Sequence, residues 1–329
     1  MSKVTITDIA REAGVSISTV SNALNGVNVL KPETRAHILE VADRLHYIPN
    51  LNGRNLKSKS TKVIGLFTRS LKGPYFAALA DIMSWECKKF GYELNIFVTW
   101  DAKSAITSIL GKRVDGSVIL TNDIGEKEVQ DMEEFDIPAV FLDREVFSEK
   151  ISSVIFDSYR DGEIAADYVA KHNPEHVCYI EGIMDNYDNI ERGKGFRTGL
   201  AKHGIKLDQN YVLYGEFERA AAHDDMVRFL QKGLPMPEIV FASNDLSAMG
   251  AMNALIENGF RVPEDVKVMG VDDIEMCEYY NPPLTTIRTG YEKQGVVVVS
   301  KLVKMISGEE TGEIIKLHGE LIERRSTAM

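Results

Sequence analysis

Cysteine is scarce and scattered: the 329 residues hold three, Cys87, Cys178 and Cys277, with no paired Cys motif and no ligand-like histidine partner. That spacing excludes a disulfide scaffold and a cysteine-built metal site, and the three read as buried or free thiols. Long apolar runs are missing too. The longest are strand-sized, so none approaches membrane-spanning length, and the first residues carry no apolar signal segment. The expectation is a cytoplasmic protein. Low-complexity tracts and short-period repeats are also absent.

Catalytic signatures are equally thin. Neither Gly-x-Ser-x-Gly nor His-Glu-x-x-His occurs. His223-Asp224-Asp225 falls in an expected helix, where consecutive side chains point in different directions and read as a solvated face. Gly193-Lys194-Gly195 lacks the leading glycine of a phosphate loop. No enzymatic activity, metal or cofactor is expected.

Positive charge is in deficit, but unevenly. Lys and Arg number 38 against 49 Asp and Glu, a net charge of -11. Residues 1–60 hold four Lys and four Arg against two Asp and three Glu, which is +3 and leaves -14 on the remainder. A basic head on an acidic body fits phosphate contact at one end only. The length is too great for one core and suits roughly two or three domains.

What is present starts at the N-terminus. In Thr5-Ile-Thr-Asp-Ile-Ala-Arg-Glu-Ala-Gly-Val-Ser-Ile-Ser-Thr-Val-Ser-Asn-Ala-Leu-Asn25, the spacing of Ala10, Gly14 and Val20 suits two short helices crossing about a tight turn, the helix-turn-helix pattern. Thr5 can cap the first helix with Asp8 as reciprocal partner, and Ile6, Ile9, Ala10 and Ala13 form one apolar stripe. Gly14 ends that helix and Ser16 caps the next, turning Val20, Ala23 and Leu24 inward and Ile17, Ser18, Ser21 and Asn22 outward. Pro32 with Ile38, Val41, Ala42 and Leu45 announces a third helix ending before Pro49. Taken alone, this segment also fits a three-helix bundle without a nucleic-acid role.

Residues 49–61 are polar, contain Pro49 and Gly53, and join the head to the rest. From Lys62 the pattern alternates: strands at 63–68, 93–99, 116–120 and 138–143, with helices at 75–90, 103–112 and 127–135. A second round follows, with strands at 154–156, 177–181, 211–214, 238–242 and 266–270 and helices at 161–171, 192–203, 221–231 and 246–258. Short apolar strands separated by helices mean parallel sheets covered on both faces, and two such rounds mean two lobes with a cleft. The fold class is therefore an all-α helix-turn-helix head on an α/β core of two parallel-sheet lobes.

Ligands of open parallel sheets sit beyond the strands' carboxyl ends. Those ends offer Tyr75, Phe76, Asp143, Arg192, Phe217, Asp245 and Asp272. Singly, an Asp there is often a helix cap and an aromatic often core. Together, aromatic faces with carboxylates and one Arg suit a polyhydroxylated ligand, the rings packing on C–H faces while Asp and Arg share the hydroxyls.

At this point both ends of the chain show a likeness. The sequence resembles the lactose/galactose repressor (LacI/GalR) family of bacterial transcription regulators over essentially its whole length. The likeness is carried by Val4-Thr-Ile-Thr-Asp-Ile-Ala-Arg-Glu-Ala-Gly-Val-Ser16, Thr19-Val-Ser21, Tyr47-Ile-Pro-Asn50, Val114-Asp-Gly116, Asn244-Asp-Leu-Ser-Ala-Met-Gly-Ala251, Gly270-Val-Asp-Asp273, Pro283-Leu-Thr-Thr-Ile287 and Leu321-Ile-Glu-Arg-Arg-Ser326. It implies a head (1–48) that reads double-stranded operator DNA, a hinge helix (49–61) that orders on it, and a core (62–329) shaped like a periplasmic sugar-binding protein of type I. The first lobe would span about 62–158 and 291–318, the second about 159–290 and 319–329.

By position, the resemblance implies that Ile17, Ser18 and Asn22 face bases and that Thr5, Ser16, Thr19, Ser21, Asn25, Tyr47 and Asn50 belong to the DNA contact set. Leu56 matches the leucine that relatives wedge into the minor groove. Asn can bond adenine bidentately and Ile can pack on a thymine methyl. Two positions depart from the family pattern: Asn22, where many relatives read guanine with Arg, and Gly53, where relatives favour Ala. Gly53 costs the hinge helix on the order of 1 kcal/mol, so the hinge is expected to be disordered without DNA. For the effector, the matching positions are the seven cleft residues, with Arg192 and Asp272 on hydroxyls and Phe217 stacking.

The expectation is a homodimeric repressor of carbohydrate-utilisation genes, associated with the nucleoid when bound to its operator. A small sugar-like effector sets operator affinity. No leucine-heptad tail follows Arg324-Arg325, which favours a dimer over a tetramer. Two alternatives share the core: a sugar-binding transport component, which needs a signal peptide, and a sugar-processing enzyme with an accessory head.

Overall fold

Local sequence signals account for the head. The computed structural model describes residues 4–25, 27, 29–48 and 60–328, and the chain separates into units at 1–61 and 62–329. The first unit contains α1 (Ile6–Glu12), α2 (Ile17–Leu24) and α3 (Pro32–Arg44). Asp8 accepts from the Thr5 amide at 3.0 Å and from its hydroxyl at 2.7 Å, holding the start of α1. Gly14 closes that helix at φ 65, with the Val15 amide donating back to the Ala10 carbonyl at 3.0 Å. A Cβ there would meet nothing within 4 Å, so the backbone conformation and not crowding demands glycine. Ser16 Oγ accepts from the Thr19 amide at 3.1 Å and starts α2 at once. Ile9, Ala10, Ala13, Val20, Ala23, Ile38, Val41 and Ala42 form the head's core.

The second unit alternates strand and helix. Its first round comprises β1 (Val63–Thr68), α4 (Pro74–Lys89), β2 (Glu93–Val98), α5 (Ala102–Leu110), β3 (Gly116–Leu120), α6 (Glu126–Glu134), β4 (Ala139–Phe141) and β5 (Ile151–Phe156). Its second comprises α7 (Ser158–Ala170), β6 (Val177–Glu181), α8 (Tyr187–Lys202), β7 (Val212–Tyr214), α9 (Arg219–Gln231), β8 (Ile239–Ala242), α10 (Asp245–Glu257), β9 (Lys267–Asp272), α11 (Met276–Tyr279) and β10 (Thr285–Arg288). The chain ends with α12 (Tyr291–Ser307), β11 (Ile314–Leu317) and β12 (Glu320–Ile322).

Two six-stranded sheets result, ordered β11-β5-β4-β3-β1-β2 and β12-β10-β9-β8-β6-β7. All pairings are parallel except β10 with β12. Because α12 packs on α4 and β11 joins the first sheet while β12 joins the second, the chain passes between lobes after β5, after β10 and after β11. His318 Nδ1 lies 3.1 Å from Asp157 Oδ2 and so links the first of these crossings to the last.

Of the element ends that differ from the sequence expectation, two do so for clear reasons. β5 begins at Ile151, earlier than its apolar run, because Ser152 and Ser153 are fully buried with their hydroxyls satisfied. The Ser153 hydroxyl donates to the Val146 carbonyl at 2.6 Å, and Ser152 Oγ accepts from the Glu313 amide at 3.0 Å. Helix α8 begins at Tyr187, ahead of Arg192, because the Asn186 side chain caps it by accepting from the Asn189 amide at 3.0 Å. Gly193-Lys194-Gly195 lies inside α8, where a Cβ on Gly195 would collide with the Tyr159 carbonyl of α7. Gly195 thus serves a close helix crossing.

Candidate nucleic-acid face and ligand cleft

On the head, Ser16, Ile17 and Ser18 stand exposed at the start of α2, with Ile17 48 % exposed although it is large and apolar. Ser18 and Asn22 are four residues apart and share one face of α2, as do Ile17 and Ser21. Ser21 and Asn22 are half-buried and not fully outward, and Ser21 Oγ accepts from Asn25 Nδ2 at 3.2 Å. Thr19 is half-buried with its hydroxyl 2.7 Å from Ser16 Oγ. Thr5 is exposed and tied to Asp8, and Tyr47 packs partly on the head's core. Asn50, Leu56 and Gly53, with the expected hinge, lie outside the described residues.

Between the two lobes lies a cavity of about 520 Å³, at the carboxyl ends of both sheets. Tyr75, Phe76, Asp143, Arg192, Phe217 and Asp272 all line it. Asp245 does not. Its carboxylate is fully buried beneath the wall, accepting from the Ile274 amide at 3.0 Å, the Thr286 hydroxyl at 2.6 Å and the Cys277 thiol at 3.1 Å. Asp245 therefore supports the loop that presents Asp272, and burial pushes its carboxyl up to about 7.

Each lining group has a positioning device. Tyr75 donates to Gln294 Oε1 at 2.8 Å, and Gln294 donates to the Val154 carbonyl at 2.9 Å, fixing the ring edge-on to Phe76 with centroids 5.3 Å apart. Phe217 holds φ 61 after Glu216 at φ 51, and Asp272 holds φ 118, conformations that side chains rarely adopt. Asn244 retains that strain: its Nδ2 donates to the Phe217 carbonyl at 3.0 Å while its Oδ1 accepts from the Ser247 amide at 2.9 Å. A Cβ on Gly182 would run into the Phe217 ring.

Arg192, 3 % exposed, donates to the Ser243 carbonyl at 2.8 Å and to Ser158 Oγ at 3.4 Å. Asp188, missed in the sequence reading, lies four residues before it on α8, lines the cavity and accepts from Ser158 Oγ at 2.7 Å. That i, i+4 spacing was the available signal. Asp161 was missed as well: it is fully buried, and neither carboxylate oxygen has a hydrogen-bond partner. Burial pushes Asp143 up to about 6 and Asp161 up to about 7, and raises Asp188 and Asp272 as well, with the Arg192 guanidinium opposing the shift at Asp161, Asp188 and Asp272.

Among the described residues three contacts cross the cleft: Lys72 with Glu218 at 2.7 Å, Tyr187 donating to Glu145 at 2.7 Å, and Asn122 donating to the Asp185 carbonyl at 3.4 Å. Among the described residues no His, Cys, Asp and Glu side chains converge as a metal site, and no helix is long and apolar enough to cross a membrane.

Residues 5–50 match the family model "Bacterial regulatory proteins, lacI family", and residues 166–327 match "Periplasmic binding protein-like domain". The probable HTH-type transcriptional repressor ExuR of Bacillus subtilis is 33% identical over 311 residues, 94% of this chain and 93% of that protein. The HTH-type transcriptional repressor PurR of Histophilus somni is 31% identical over 329 residues, 98% of each. Among solved structures, the Lac repressor dimer bound to operator and the anti-inducer ONPF superposes with a TM-score of 0.86 at 26% identity, covering 100% of both chains. The chain belongs to the LacI family. It is a helix-turn-helix transcriptional repressor with a ligand-binding core, not an enzyme.

In this LacI-family chain the cavity can hold a small molecule on two aromatic-lined walls, with one guanidinium and several carboxylates to fix its polar groups.

Proposed function

We propose that this repressor controls carbohydrate-utilisation genes by binding a palindromic operator as a homodimer, with operator affinity set by a sugar-like effector held between its lobes. The observation that carries the reading is the cavity at the ends of two parallel sheets, where Arg192, Asp143, Asp188 and Asp272 stand beside the rings of Tyr75, Phe76 and Phe217. Rings offer flat faces to sugar C–H groups, and the charged groups divide hydroxyl donors and acceptors.

Ile17, Ser18 and Asn22 face bases in this reading. Asn22 suits adenine and Ile17 a thymine methyl, so the operator half-site differs from one read by arginine. Thr5, Ser16, Thr19, Ser21, Asn25 and Tyr47 touch the phosphate backbone, and Asn50 and Leu56 act from the hinge. Support for a dimer comes from β2, an edge strand with Ile96 and Val98 exposed, flanked by exposed Trp85 and Trp100. A repressor of this kind works in the cytoplasm and joins the nucleoid when bound to its operator.

Selection of bound sequences from a random DNA pool, paired with thermal-shift screening of sugars, tests the reading. A two-fold symmetric consensus and a sugar that raises the melting temperature are expected. Binding with no symmetric consensus would contradict the operator half, and stabilisation by nucleobases instead of sugars would contradict the effector half.

A further inference from the structure

Every cation on the cavity wall is already engaged. Arg69 pairs with Asp123 through two contacts, Lys72 holds Glu218 at 2.7 Å, and Arg192 gives one N–H of each terminal nitrogen to the Ser243 carbonyl and the Ser158 hydroxyl, keeping its Nε–H and the second N–H of each terminal nitrogen. The carboxylates are in the opposite state. Asp143 is 5 % exposed and neither oxygen accepts a hydrogen bond; the nearest cation, Arg144, has its Nε 3.9 Å away and donates instead to the Ile124 carbonyl. Asp272 makes no hydrogen bond through its carboxylate to any described residue, and Asp188 accepts one, from Ser158. Three carboxylates with unused oxygens therefore share the wall with one buried guanidinium.

A buried unpaired acceptor is costly until a donor reaches it. The hydroxyls of a neutral sugar supply donors, and an ammonium supplies three on one atom. A carboxylate or phosphate supplies none and meets like charge in a desolvated space, which selects against it. We infer that the effector is a sugar without an acidic group, neutral or amino-substituted, and that Asp143 is the residue that turns acidic sugars away. This rests on the reading of the cavity as a sugar site. The Asp143 carboxyl, which burial raises to about 6, is ionised at pH 8, so that is the pH for the test.

The experiment is calorimetric titration of the full-length protein at pH 8 with glucose, glucosamine, glucuronate and glucose 6-phosphate, and with the matching galactose series. In whichever ring series binds, the neutral or amino form is expected to bind at least about tenfold tighter than either acidic form. Asp143→Asn is expected to narrow that gap at least about fivefold by strengthening the acidic form, and Asp143→Ser gives the same readout if the first variant does not fold. A uronate or sugar phosphate that binds as tightly as its neutral counterpart overturns the charge rule while leaving the sugar reading intact. A gap that a folded Asp143 variant leaves unchanged removes Asp143 as its cause. Failure of every sugar to bind overturns the sugar reading, and the charge rule with it.

Discussion

The first lobe presents Tyr75 and Phe76 from the opening turn of α4, on ordinary helical backbone, and Asp143 from just beyond β4. The second presents Phe217 at φ 61 and Asp272 at φ 118, next to Glu216 and Asp273 that are also at positive φ. One wall is relaxed and the other strained. Strained backbone persists only where surrounding structure over-determines it, and here Asn244, Asp245 and Gly182 supply that support. The lesson is that the second lobe is the pre-shaped half of the site, so damage there should reach ligand binding from residues that never touch the ligand.

The largest expected effect comes from removing the cation on the strained side. Arg192→Met removes the guanidinium that opposes the raised carboxyls of Asp161, Asp188 and Asp272 and leaves the buried Ser243 carbonyl without that donor, and stability measured by urea unfolding should fall by about 3 kcal/mol. Next is Gly182→Ala, whose methyl displaces the Phe217 ring. It is expected to cost about 1–3 kcal/mol of stability and to weaken effector binding in a calorimetric titration. Unchanged affinity in a folded Gly182→Ala protein would break the contrast between the walls.

A smaller effect depends on pH. Asp161 has its folded carboxyl raised from 3.8 to about 7 by burial, so the folded state holds its proton more tightly than the unfolded chain does. The stability this contributes is full below pH 4 and is lost as pH rises through about 7. Asp161→Asn mimics the protonated form. Its melting temperature should exceed the parent's at pH 8 and match it at pH 4. The smallest effect belongs to the rim: Lys72→Ala removes a solvent-exposed pair with Glu218 and should change stability by less than about 1 kcal/mol, in a salt-sensitive way.

The head was legible because its signals are local: a capping pair three residues apart, a left-handed glycine and a serine cap all sit within one short segment. The alternation of β1 through β9 was legible for the same reason. The cleft was readable only in part. Asp245 looks like a cleft residue because it follows a strand end and a capping Asn. It is turned inward by Thr286, Ile274 and Cys277, partners from later elements that no local pattern reveals. Gly270 opposite it has no side chain to block that position. Asp161 escaped notice because its importance lies in its burial, which sequence spacing does not encode. β12 follows β11 after a two-residue link yet joins the other sheet, a choice set by the lobe crossings.

The most direct test joins the two ends of the molecule: operator affinity measured by fluorescence anisotropy, on the DNA sequence the protein selects, with and without a saturating sugar that raises its melting temperature. The dissociation constant is expected to change by at least about fivefold, the lower end of typical allosteric coupling. An operator affinity that stays the same while the sugar demonstrably fills the cleft would contradict it.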